Sequence, residues 1–222
     1  MEWVALRIVA LSAATTAALA AGVPAATAFT DQSETNLLSA TPDGGFPNGP
    51  SRNGVFSQDS HVVRYAAYES DASNILPGDT NGATDVFLVH RAAPMDESGG
   101  TAPAWHAGAT ELVSTGMGGA PADGPSTAPD LDGDQHHVPH CVAFISAADN
   151  LVGGDTNGVP DAFVKDLNTG TIQRVSVNAA GVQADGPTTE VQVDGPATAS
   201  PSCPPRTTSR SSAQAGARRA PS

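Results

Sequence analysis

One stretch of this chain occurs twice. Tyr68–Val89 and Phe144–Val164 share the core G-D-T-N-G-x-x-D-x-F, with Asp79 and Asp155 at matching positions. A shorter block occurs three times, as Gly45–Ser51, Gly119–Ser126 and Gly181–Thr188, each closing on Gly-Pro and a hydroxyl residue. Self-similarity at this interval marks a supersecondary unit that buries its faces against copies of itself. The two copies of the long stretch differ in the extra residues between Arg91 and Ala109, around Met95–Gly100.

Each unit divides into four short strands separated by turn residues. In the second unit the expected strands are Ser126–Leu131, His140–Ser146, Asp161–Leu167 and Thr171–Val177. In the first they are Gly54–Gln58, Arg64–Ser70, Asp85–Arg91 and Ala109–Thr115. Asp132-Gly133, Asn157-Gly158 and Asn168–Gly170 supply the residues that tolerate positive φ in tight turns. Asn36–Ala40 reads as the last strand of a preceding unit and Glu190–Val193 as the first strand of a following one. No window carries a helical period, and 23 Gly with 18 Pro disfavour helices throughout. The expected fold is all-β: four-stranded antiparallel blades of the β-propeller type, two complete and flanked by partial ones.

The run Leu131-Asp-Gly133, Val142-Ala-Phe-Ile-Ser146, Asp161-Ala-Phe-Val-Lys-Asp-Leu167 and Arg174-Val-Ser-Val177 resembles the TolB-type, WD40-like propeller repeat. The longer repeats with G-D-T-N-G resemble the secreted versions of high-GC bacteria. The resemblance covers about residues 35–195. It implies a periplasmic or secreted interaction module, or a propeller attached to a peptidase. This chain has no G-x-S-x-G element, so the peptidase activity is not carried over. A closed propeller needs at least four blades, whereas two leave sheet edges unpaired near Asn36–Ala40 and Glu190–Val193. Such edges favour self-association.

The ends of the chain differ from its body. Met1–Ala28 reads as a signal peptide, with Arg7 in front of an uncharged Ile8–Val23 stretch and an A-x-A site at Ala26-Thr27-Ala28. Cleavage there leaves Phe29 first and predicts a secreted, extracellular protein with no membrane span in its mature form. The body, residues 29–195, holds 5 basic and 22 acidic side chains, a net charge of −17 that repels nucleic-acid phosphates. The tail, residues 196–222, has no acid and carries four Arg. Its composition predicts disorder. It also reads as an out-of-frame segment. With degenerate bases left free, the codons of Ala197–Ser209 in a shifted frame can spell Gly-Tyr-Arg-Val-Ala-Phe-Val-Ser-Ala-Ala-Asp-Asn-Leu, which nearly reproduces Val142–Leu151.

The residues richest in chemistry lie in the repeated loop. Asp79, Asn81 and Asp85, and again Asp155, Asn157 and Asp161, place side-chain oxygens around a Gly turn, an arrangement suited to Ca²⁺. Asp71 or Asp149-Asn150 could add oxygens, but the closing bidentate Glu of an EF-hand is lacking. The competing reading is structural: Asn-Gly makes the turn and the aspartates accept backbone N–H groups. His136, His137 and His140 form a weaker metal candidate. Cys141 beside the Val142–Phe144 run reads as a buried free thiol, with Cys203 in the tail. Trp105 and His106 sit in the insertion, where Trp105 either contacts a ligand or packs on its own loop. No catalytic constellation is present, because each notable Asp recurs once per unit. The expected function is a non-enzymatic binding or protein-interaction module, stabilised by calcium, with a protein or surface ligand as partner. The alternatives are a non-catalytic remnant of a secreted peptidase or hydrolase, and a truncated product without function.

Overall fold

The computed structural model describes residues 36–57, 63–92, 105–133, 139–194 and 206–211, all within the unit Asn36–Ser222. The signal-peptide expectation for Met1–Ala28 lies outside the described residues, as do His136, His137 and Cys203.

The fold is all-β. The first sheet orders β1 (Ser51–Phe56), β2 (Tyr65–Ser70), β3 (Asp85–Arg91) and β4 (Ala107–Leu112) as consecutive antiparallel neighbours. The second repeats the order with β5 (Ser126–Leu131), β6 (Cys141–Ser146), β7 (Asp161–Asp166) and β8 (Ile172–Arg174). A third sheet contains β9 (Thr188–Asp194) and β10 (Arg206–Ser211). These are propeller-type blades, two complete and one of two strands.

The pleat explains why the central strands are buried at almost every position. Successive side chains leave opposite faces of a strand, and both faces of the middle sheet are covered. Ala67, Val86 and Leu88 of the first sheet pack against Val142, Phe144 and Phe163 of the second. The alternate set, Cys141, Ala143, Ile145, Ala162 and Val164, packs against Val191 and Val193 of β9. Each complete sheet carries one stacked aromatic pair at the same register: Tyr68 on Phe87 at 5.6 Å and Phe144 on Phe163 at 5.8 Å between ring centroids.

The first strand of each complete sheet carries a bulge, between Arg52 and Val55 and between Thr127 and Asp130. At the bulges Asn53 and Ala128 both adopt φ 52°, a conformation that costs a residue with a Cβ. Glu69 offsets that cost at Ala128. Its buried carboxylate accepts the Ala128 N–H at 2.7 Å and meets Arg52 Nε at 2.7 Å. Asp130 in turn accepts the Val193 N–H at 2.9 Å, so each sheet grips the first strand of the next.

Three expectations are corrected. Asn36–Ala40 is a turn rather than a strand, and Leu38 packs on the outer face of the first sheet beside Phe87 and Val89. The tail is not without regular structure, because Arg206–Ser211 pairs antiparallel with β9 from Arg206 opposite Asp194 to Ser211 opposite Thr188. Cys141 is disulfide-bonded rather than a free thiol. The run around Cys141 revealed its burial, but sequence spacing does not show what a thiol can reach. Among the described residues no helix is long and apolar enough to cross a membrane.

Candidate functional site

The repeated loop joins the second strand to the third in each complete sheet. Its asparagine folds back on itself: Asn81 Oδ1 accepts the Ala83 N–H at 2.9 Å, an Asx turn. That leaves the amide nitrogen facing inward. Asn81 Nδ2 donates to Asp85 Oδ2 at 2.7 Å and to the Ala122 carbonyl at 2.9 Å. The second carboxylate oxygen, Asp85 Oδ1, accepts from Ser114 Oγ at 2.6 Å, and Ser114 Oγ accepts the Val86 N–H at 3.1 Å. The second sheet builds the same relay. Asn157 Nδ2 donates to Asp161 Oδ2 and to the Ala184 carbonyl, both at 2.9 Å, and Ser176 Oγ donates to Asp161 Oδ1 at 2.5 Å. Asp85 and Asp161 are fully buried.

The structure thus brings each predicted triplet together, but as an amide–carboxylate–hydroxyl relay. Neither asparagine presents an oxygen toward its aspartate, so Asn81 and Asn157 are not arranged as cation ligands. Among the described residues no group of three or more His, Cys, Asp or Glu side chains is placed to hold a metal. The further oxygens considered for the loop are engaged elsewhere. Asp71 takes Arg52 through two bonds of 2.9 and 3.1 Å and Thr84 Oγ1 at 2.6 Å. These bonds from Arg52 and Thr84 hold its carboxyl below the usual value. The Asp149 N–H donates to Asp123 Oδ1 at 2.9 Å. Asn150 clamps the link between sheets by accepting from the Asp123 N–H and donating to the Pro121 carbonyl, as Asn74 does with Asn48 and Phe46.

The first aspartate of each motif separates the two sheets. In the second, Arg174 Nη1 lies 3.0 Å from Asp155 Oδ1 and 3.6 Å from Asp161 Oδ2, so a guanidinium joins both carboxylates. In the first, Leu112 takes the register position of Arg174. Asp79 is 7% exposed, and its Oδ1 is buried without a hydrogen-bond partner. Burial, then the charge of Asp85, pushes the Asp79 carboxyl up to about 6.

Elsewhere, His140 donates its N–H to Asp132 Oδ1 at 2.7 Å, and its Nδ1 lies 3.2 Å from Asn168 Nδ2. Trp105 is half-buried, set edge-on against Phe56 at 6.4 Å and packed on the outer face of the first sheet. Lys165 Nζ donates to the Leu112 carbonyl at 2.9 Å, tying the two complete sheets together. Burial holds that ammonium below the ordinary lysine value.

Sequence reasoning missed Ser114 and Ser176. The signal was present in the Val-Ser pair that recurs as Val113-Ser114 and Val175-Ser176 in the two links between sheets.

A second feature lies on the same end of the sheets. In an antiparallel order the connection from second to third strand and the link to the next sheet share one end. The link residues Ala122 and Asp123 bond to the loops of both sheets, so that end is common to the two. Four of the six exposed large apolar side chains sit there: Phe46 (83% exposed), Met117 (59%), Val182 (57%) and Val177 (39%). Phe46 precedes β1, Met117 lies between β4 and β5, and Val177 and Val182 lie between β8 and β9.

No known protein family, curated protein or solved structure matches the chain, so the likeness to the TolB-type repeat rests on the motifs that suggested it.

Proposed function

We propose that this chain is a secreted, non-enzymatic propeller-type module that binds a protein or surface ligand through the end of its sheets carrying the sheet-linking loops. One observation carries the reading: Phe46, Met117, Val177 and Val182 are exposed on successive links at that end. Apolar side chains repeated on the tips of rigidly held loops suit recognition, because the scaffold bears the ordering cost beforehand. The polar residues of the repeated loop support the same reading, since they are spent on relays that fix those links. The secreted compartment rests on Met1–Ala28, and the non-enzymatic role on the recurrence of every notable aspartate in both units.

Site-directed photo-crosslinking tests the proposal. A photoreactive residue at position 46 or 182 is expected to give a discrete adduct when the protein is mixed with the cell-envelope and culture fractions of a high-GC bacterium. The same residue at position 168, in the β7–β8 turn at the opposite end, is expected to give none. Equal labelling at both ends, or no adduct at either loop position, would overturn it.

A further inference from the structure

The two complete sheets use one loop architecture and balance its charge differently. In the second sheet, Asp155 and Asp161 converge on the Arg174 guanidinium, whose side chain is 11% exposed. In the first, Asp79 and Asp85 occupy the matching positions, 7% and 0% exposed, and Leu112 stands where the arginine would be. The only charge acting on Asp79 is that of Asp85. The nearby basic side chains are committed elsewhere: Arg52 to Glu69 and Asp71, and Lys165 to the Leu112 carbonyl. Asp79 Oδ1 remains a buried carboxylate oxygen without a hydrogen-bond partner. Two buried carboxylates in contact need a positive partner, and the neighbouring repeat displays one in the same place.

We propose that Asp79 and Asp85 of the first sheet bind a hard, oxygen-seeking cation, Ca²⁺ in the extracellular setting, in the position that Arg174 fills in the second sheet. The ligands from this chain are carboxylate oxygens. Asn81 turns its amide nitrogen toward Asp85 and contributes as the residue that positions that carboxylate. Ca²⁺ takes six to eight oxygens, so loop carbonyls and water complete the shell, and two carboxylates without a closing Glu predict weak affinity, about 10⁻⁴–10⁻³ M. The second sheet has no use for the ion.

The experiment is thermal unfolding of the full chain after chelation, with CaCl₂, MgCl₂ or NaCl added at matched ionic strength. Ca²⁺ at tenfold over its Kd is expected to raise Tm by about 3 °C beyond the NaCl control. Asp79→Asn, which keeps the shape and removes the charge, is expected to abolish that difference. Leu112→Arg is expected to raise Tm in chelator and make it indifferent to Ca²⁺, because the guanidinium then sits where the ion does. Should Leu112→Arg fail to fold, Asp79→Asn alone decides. A Ca²⁺ response no larger than that of NaCl, the result for a pair holding a shared proton, would overturn the proposal. So would a response that survives Asp79→Asn. The crosslinking outcome at positions 46 and 182 is independent of this result.

Discussion

Leu112 and Arg174 stand at the same register position in successive sheets, each opposite a phenylalanine of the third strand, Phe87 and Phe163. Their backbones are equivalent, but the aspartates before those strands meet a cation in one sheet and a hydrocarbon in the other. The difference sets the first expectation. Arg174→Leu leaves Asp155 and Asp161 buried and unpaired. Losing one partner of a buried ion pair is far more costly than the net worth of the pair, so urea unfolding in chelator should show a loss of about 3 kcal/mol. A loss below about 1 kcal/mol would mean that water reaches these carboxylates.

The asparagine of the relay satisfies three groups at once. Asn81→Ala strips partners from Asp85, the Ala122 carbonyl and the Ala83 N–H. Stranded polar groups of this kind should lower stability by about 2–3 kcal/mol, and Asn157→Ala should do the same in the second sheet. Asn81→Asp should be worse than Asn81→Ala, since it adds a charge beside Asp85 and removes both donors.

Glycine before proline in the repeated block is required by contact. A Cβ at Gly124 would stand 2.7 Å from the Ala147 carbonyl oxygen, and one at Gly49 would stand 2.8 Å from the Asp71–Ala72 backbone. Gly124→Ala and Gly49→Ala should each cost about 2 kcal/mol or more, because backbone cannot step aside as a flexible side chain can. Gly78→Ala is the control: nothing lies within 4 Å of a Cβ there. Melting curves of the three variants give the comparison.

Asp132 supplies a pH signature. Its Oδ1 accepts the N–H groups of His140 and Cys141 at 2.7 and 2.8 Å, yet burial outweighs these bonds and holds its carboxyl above the ordinary value. His140 lowers it and Asp130 raises it further. A carboxyl with a raised folded pKa binds its proton more tightly in the native state than in the unfolded one. Its contribution to stability therefore falls as pH rises from its unfolded value through its folded one. Asp132→Asn keeps an acceptor and cannot ionise. The stability difference between wild type and variant should shift toward the variant between about pH 4 and pH 6. A difference that stays flat with pH would show that Asp132 titrates normally.

Cys141 gives a chemical check. Under denaturing, non-reducing conditions the protein should show no reactive thiol, and Cys141→Ser should expose one, read by thiol titration. A free thiol in the wild type would contradict the bonded state of Cys141.

The strands were readable because their cues are local. Ser126–Leu131 and Asp85–Arg91 were placed to the residue by turn signals and an apolar run, and the other six strands of the complete sheets differ only at their ends. Asn36–Ala40 misled because its apolar residues bury against the first sheet without forming a ladder. The aspartates and asparagines of the repeated loop were found, but their roles were not. Whether an amide shows oxygen or nitrogen depends on the Ala122 carbonyl of the next link, 41 positions away. The reach of Glu69 to Ala128 spans 59 positions. No spacing rule covers such contacts, since the fold itself makes them.

The bonds between sheets all run one way along the chain. Glu69 holds Ala128, Asn81 holds Ala122, Asp130 holds Val193 and Asn157 holds Ala184, in each case an earlier side chain gripping a later backbone. Each complete sheet is also drawn from one uninterrupted stretch. A polypeptide emerging amino end first from a ribosome or a pore can therefore finish one sheet and offer its grips before the next has appeared. Assembly is directional: shortening the chain from its carboxyl end removes sheets that depend on their predecessors, whereas shortening it from the amino end removes the supports on which the others are built.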